Sequence, residues 1–174
     1  MNFQERLSER KVPTLYIMCG LGFSGKSTFA KRIANHFDIA VVSTDKMFGE
    51  LQLEHDNYDQ WLSLLRISKD RLSSNLKNGQ SVVYDHPNVK LAERDELRDI
   101  ARKTGARAVV VYLSTSDEEI SQRQIRNKES KERHDPKQEH LDAVKRDFEA
   151  PIPAEGDVSI IKSDQDKEDF LRSQ

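Results

Sequence analysis

Apolar and β-branched residues fall in short runs along this chain. Between the runs lie longer stretches in which apolar positions recur every three or four residues. The runs predict strands over 14–19, 40–43, 81–85, 108–113 and 158–161. The stretches predict helices over 26–37, 59–78, 91–104, 117–129, 137–149 and 166–172. Ser116 before Asp117, Glu118 and Glu119 offers an N-cap oxygen and negative charge to the positive end of a helix dipole. Strands alternating with helices predict an α/β fold of three layers, with a five-stranded parallel sheet between two layers of helix.

At 174 residues the chain is expected to form one domain, 1–174, with a single core. Lys and Arg number 28 against 30 Asp and Glu, a net charge of -2. Coating nucleic acid or an anionic membrane usually takes a basic excess. Nucleic acid is therefore disfavoured as a partner except through a local patch. The one cysteine, Cys19, ends an apolar run and allows no internal disulfide, so a reducing, cytoplasmic setting is expected and Cys19 itself is read as a small core residue. The N-terminal 13 residues contain no apolar leader-like run, and the longest strongly apolar run, 108–113, is too short to cross a bilayer.

The most informative segment is Gly20-Leu21-Gly22-Phe23-Ser24-Gly25-Lys26-Ser27, followed by Thr28. It fits G-x-x-x-x-G-K-[ST] in full and falls between the first predicted strand and the first predicted helix. For ordinary composition, chance places such a string in a chain this long roughly once in a hundred times or less. Glycines let the backbone curl so that N–H groups point at phosphate oxygens, and the helix N-terminus adds partial positive charge. Lys26 is expected to reach the β- and γ-phosphates of ATP, and the Ser27 hydroxyl to sit on Mg2+. The candidate nucleotide-binding set is Gly22, Phe23, Ser24, Gly25, Lys26, Ser27, Thr28, Arg123 and Arg126.

A guanine-reading Asn-Lys-x-Asp motif is not matched, since the nearest string is Asn127-Lys128-Glu129-Ser130. The third strand ends Val82-Val83-Tyr84-Asp85-His86 rather than in the Asp-Glu usual of oligomeric ATPase motors. With the phosphate loop, four features resemble the P-loop kinases that include polynucleotide 5'-hydroxyl kinases, zeta-toxin-like kinases and small antibiotic or metabolite kinases. They are Val41-Val42-Ser43-Thr44-Asp45, Val82 through Asn88, the pair Arg123 and Arg126, and Phe148-Glu149-Ala150-Pro151. The resemblance implies a fold of the P-loop NTPase, nucleoside-monophosphate-kinase-like type. It also implies an aspartate at the end of the second strand facing the acceptor hydroxyl, a position that Asp45 occupies.

A carboxylate there would orient the hydroxyl and accept its proton; the alternative role for Asp45 is to cap a helix beginning at Lys46. Asp85 is expected at the carboxyl end of the third strand, where open α/β sheets bind ligands. By resemblance it serves either a magnesium-bound water or the acceptor. His86 beside it is read as a hydrogen-bonded structural residue. Arg123 and Arg126, three apart on one predicted helix, are expected to turn toward one phosphate group. From Arg123 to Arg133 five basic residues stand against two acidic ones, a local charge of +3. This predicts a positive lid over 123–137, with Arg126 assigned to transition-state charge, against the plainer reading of a solvated helix surface.

Met47, Phe48, Leu51, Leu53, His55, Tyr58 and Trp61 combine apolar bodies with polar tips where related kinases grip their acceptor; much of the 61–65 run is expected to be core. Basic residues near Asp45 are sparse, only Lys46 and later Arg66. A phosphotransferase acting on a small-molecule hydroxyl therefore leads. A 5'-hydroxyl polynucleotide kinase and an ATP-binding sensor without acceptor chemistry are the alternatives.

Overall fold

The computed structural model describes residues 11–54, 57–131 and 136–174. Its strands are β1 (Thr14–Cys19), β2 (Ala40–Ser43), β3 (Val82–Asp85), β4 (Arg107–Leu113) and β5 (Val158–Ile161). Its helices are α1 (Lys26–Phe37), α2 (Thr44–Glu50), α3 (Tyr58–Lys77), α4 (Leu91–Lys103), α5 (Asp117–Ser130), α6 (Gln138–Arg146) and α7 (Asp164–Ser173). A 3-10 turn, Pro153–Glu155, precedes β5. The strands form one parallel sheet in the order β2-β3-β1-β4-β5.

Side chains alternate across the pleat of β1. Leu15, Ile17 and Cys19 face one way, into a core with Leu64, Leu72 and Leu76 of α3 and Leu97 and Ala101 of α4. Tyr16 and Met18 face the other way, onto Phe29, Ala30 and Ile33 of α1 and Phe170 and Leu171 of α7. Both faces of the central strands are thus covered, which is why their sequences read as near-continuous apolar runs. These are the three layers expected.

Two departures have local causes. The predicted third strand loses Ser81, whose hydroxyl accepts the Thr14 N–H at 2.9 Å. The predicted helix over 137–149 ends at Arg146, because Glu149 turns its N–H onto the Val89 carbonyl at 2.9 Å ahead of Pro151. The short helix α2 was not predicted. Ser43 caps it by accepting the Lys46 N–H, and only Thr44 and Met47 are buried, so it has too few turns to display a period.

Candidate active site

Sheet order brings the chemistry together. β1 lies at the centre with β3 on one side and β4 on the other, so the loop leaving β1 opens where the strand order reverses, beside the carboxyl end of β3. Gly20 donates its N–H to the Pro87 carbonyl at 3.2 Å, binding the start of the loop to the turn after β3.

Three carbonyls of the loop are taken by side chains. Lys26 Nζ donates to the Leu21 oxygen at 2.8 Å, Arg123 Nη1 to the Phe23 oxygen at 3.0 Å, and Thr115 Oγ1 to the Ser24 oxygen at 2.8 Å. Among the described residues, the N–H groups of Leu21, Gly22 and Gly25 have no acceptor. Ser24 Oγ is buried without a partner. A run of unmatched donors at the N-terminus of a helix is a cradle for an anion. The glycines are required by space as well as by conformation. A Cβ on Gly20, at φ +145°, would lie 3.0 Å from the Leu113 carbonyl oxygen, and one on Gly25, at φ +94°, 3.1 Å from Arg123 Nη1. These residues fit a nucleotide's phosphates.

Asp85, buried at the end of β3, accepts hydrogen bonds from Ser27 and Ser43. Burial raises its pKa above the ordinary carboxylate range; the Ser27 hydroxyl and the Lys26 charge pull the other way, and the nearby charge of Asp45 adds to the rise. Ser27 therefore stands against Asp85, with the charges of Lys26 and Asp45 close enough to act on the same carboxyl. No three His, Cys, Asp or Glu side chains converge on a metal position among the described residues. The donor set fits Mg2+ in its usual regime, held by one or two protein oxygens, waters and substrate phosphates.

Asp45 is exposed in the first turn of α2, and the capping role falls to Ser43, so its carboxylate is not spent on the helix end. Arg123 is half-buried over the loop and paired with Glu119, whereas Arg126 and Thr28 are exposed. Gly22 faces α6: a Cβ there would lie 2.9 Å from Leu141 Cδ2. Of the expected lid, 123–131 and 136–137 are described. Arg133 and, in the acceptor region, His55 lie outside the described residues.

His86 is structural. Its Nδ1 is 3.0 Å from Thr44 Oγ1, and its ring lies between Tyr84 and Trp61, with centroids 5.7 and 5.9 Å away. Burial, with the charges of Lys26 and Lys69, lowers its pKa to about 3, so the ring is neutral at pH 7. Cys19 is likewise a core group, its thiol donating to the Asn88 carbonyl at 3.3 Å and raised by burial to about 12. Asn88 spends its side-chain amide on the Met18 and His86 carbonyls, at 2.7 and 3.0 Å.

Of the acceptor-region residues, Met47 is core and Phe48 and Leu53 pack against it. Trp61 lies half-buried on His86, and Tyr58, Leu51 and Leu62 are exposed.

Sequence reasoning missed the support beneath the site. Arg94, 0% exposed, donates to the Asn88 and Val89 carbonyls and forks onto Glu155 at 2.8 and 2.9 Å, and Arg98 shares the same carboxylate at 2.8 Å. Arginine and glutamate are common on helix surfaces, and nothing in their local spacing marks this pair, 61 residues apart, as buried.

A family model described as an AAA domain matches residues 15–151. Solved structures with the same fold include a protein of Chloroflexus aurantiacus described as a kinase, with a TM-score of 0.73 at 15% identity over 93% of this chain and 96% of that one. The APS kinase CysC of Mycobacterium tuberculosis, in complex with AMPPNP and APS, matches with a TM-score of 0.67 at 13% identity, over 92% and 94% of the two chains. A gluconokinase from Sinorhizobium meliloti matches with a TM-score of 0.63 at 18% identity, over 93% and 89%. Identities this low establish the fold, which is that of the P-loop kinases. The phosphate cradle after the central strand and the family match over most of its length make this chain a member of the AAA domain family of P-loop proteins.

Proposed function

We propose that the protein is a kinase that transfers the γ-phosphate of ATP, with Mg2+, to a hydroxyl of a small-molecule acceptor in the cytoplasm. One observation carries the reading. Asp85 bonds Ser27 of the phosphate loop and feels the charges of Lys26 and of a second, exposed carboxylate, Asp45, for which a module that only sensed nucleotide has no need.

The unmatched loop amides and Lys26 hold the β- and γ-phosphates, and Ser27 with Asp85 holds Mg2+, which when bound would neutralise phosphate charge. Asp45, free of capping duty, orients the acceptor hydroxyl and takes its proton as the oxygen attacks phosphorus and the bond to the ADP oxygen breaks. Arg123 keeps the loop in shape, and Arg126 supplies charge from the lid. Most of the rate acceleration comes from positioning, worth on the order of 7–11 kcal/mol, against about 10²–10⁴-fold from the base.

The test is ADP formation from MgATP with and without a pooled metabolite extract and a 5'-hydroxyl oligonucleotide, using Lys26→Ala as the blank. Stimulation by the extract that disappears in Lys26→Ala is the expected result. Asp45→Asn is expected to bind ATP normally and to lose about 10²–10⁴-fold of the stimulated rate. Transfer by Asp45→Asn at the wild-type rate removes Asp45 as the base. Stimulation by the oligonucleotide alone makes the protein a polynucleotide kinase, and nucleotide binding with no stimulation by either makes it a sensor.

A further inference from the structure

Charge divides across the transfer point. The donor side carries Lys26 and Arg123 at the phosphate loop and the exposed Arg126 and Lys128 on α5. Among the described residues the acceptor side, from Thr44 through Trp61, has four acidic residues (Asp45, Glu50, Glu54 and Asp59) against the single cation Lys46, a local charge of -3. Thr44 and Trp61 both contact His86, so the two ends of this segment stand at the carboxyl end of β3.

The cations that approach it are engaged. Lys46 and Arg71 both pair with Glu50, at 3.7 and 3.9 Å, and Lys69 pairs with Glu96 at 2.6 Å. Arg66 is exposed but does not line the depression that Leu51, Leu53 and Asn57 form with α3. Among the described residues Asp45, Glu54 and Asp59 have no cation partner. That depression encloses about 310 Å³, with Leu51, Leu53, Leu64 and Ile67 for walls and Asp59 and Ser63 at its polar edge. Tyr58 stands 71% exposed at the start of α3, the same helix, and offers an aromatic face to a cation.

An anionic acceptor would find carboxylates and no available guanidinium here. We infer that the acceptor, on the kinase reading above, is a hydroxylated amine that is cationic at neutral pH, with its ammonium end in the depression beside Asp59 and its hydroxyl at Asp45. Its reach follows from α2. Asp45 lies in the first turn and Leu51 caps the far end, six residues on, which at 1.5 Å per residue is about 9 Å. A molecule of two sugar-sized rings spans that distance.

The experiment separates the metabolite extract on sulfonate and quaternary-ammonium resins at pH 7 into cationic, neutral and anionic pools, and measures stimulated ADP formation with each. The cationic pool is expected to carry the stimulating activity. Asp59→Asn is expected to raise the KM for that pool up to about fivefold, an effect that shrinks at higher ionic strength. Stimulation by only the neutral or anionic pool overturns the inference and leaves the kinase reading standing. An Asp59→Asn enzyme with unchanged KM removes the ammonium from the depression and overturns the placement. Nucleotide binding with no stimulation by any pool overturns the kinase reading and this inference with it.

Discussion

Replacing Glu155 by Gln removes the charge on which two guanidiniums converge. The Glu155 side chain is 7% exposed and Arg94 is 0% exposed. Burial disfavours ionisation of Glu155, but the hydrogen bonds from Arg94 and Arg98 outweigh it and hold the carboxyl at about 2, below the ordinary 4.5. By linkage that depression is worth about 3 kcal/mol. Removing one partner of a buried ion pair costs about 3–5 kcal/mol in general, so the two routes agree. Because the folded-state pKa lies below the unfolded one, the stabilisation is complete above pH 4.5 and is lost as the pH falls through about 2. Urea denaturation followed by the fluorescence of Trp61, the one tryptophan, is the assay. Glu155→Gln is expected to lose about 3 kcal/mol at pH 7, a large share of the stability of a domain, with the gap to wild type narrowing steadily below pH 4.5. A gap under about 1 kcal/mol at pH 7, or one that does not change with pH, refutes the reasoning.

Gly20→Ala forces a Cβ against the Leu113 carbonyl oxygen at φ +145° and is expected to cost about 1–3 kcal/mol; an unchanged Tm contradicts this. Ser68→Ala strips the Tyr84 hydroxyl of its 3.0 Å partner and is expected to cost about 1–3 kcal/mol, part of which Tyr84→Phe restores in the double variant. Arg123→Ala releases the Phe23 carbonyl and is expected to weaken nucleotide binding by up to about tenfold, read by fluorescent-nucleotide titration, with little change in Tm because the side chain is partly exposed.

The sheet was legible because the central strands are buried on both faces and so spell themselves as apolar runs, and because the glycine-rich string could be placed between a strand and a helix. Ser116 caps α5 as its sequence context foretold, accepting the Glu119 N–H at 3.2 Å. The short α2 was not legible, since its main organising contact is a serine cap rather than a periodic face. At the site the sequence supplied Lys26, Ser27, Asp45 and Asp85, each at the end of an element. Thr115 and Leu141 escaped notice because they meet the loop only through the tertiary fold, across about a hundred residues of chain. For the same reason the role of Asn88, which binds two backbone segments, could not be told from that of a ligand-binding amide.

Two of the side chains that occupy carbonyls of the phosphate loop, Thr115 and Arg123, lie 91 and 100 residues downstream of the atoms they bind. A nascent chain therefore synthesises its nucleotide cradle early and completes it late. Until β4 and the first turns of α5 have left the ribosome, the Phe23 and Ser24 carbonyls lack these partners, and the central strand lacks its β4 neighbour. Nucleotide capture at full affinity therefore reports that the chain has been made at least as far as Arg123.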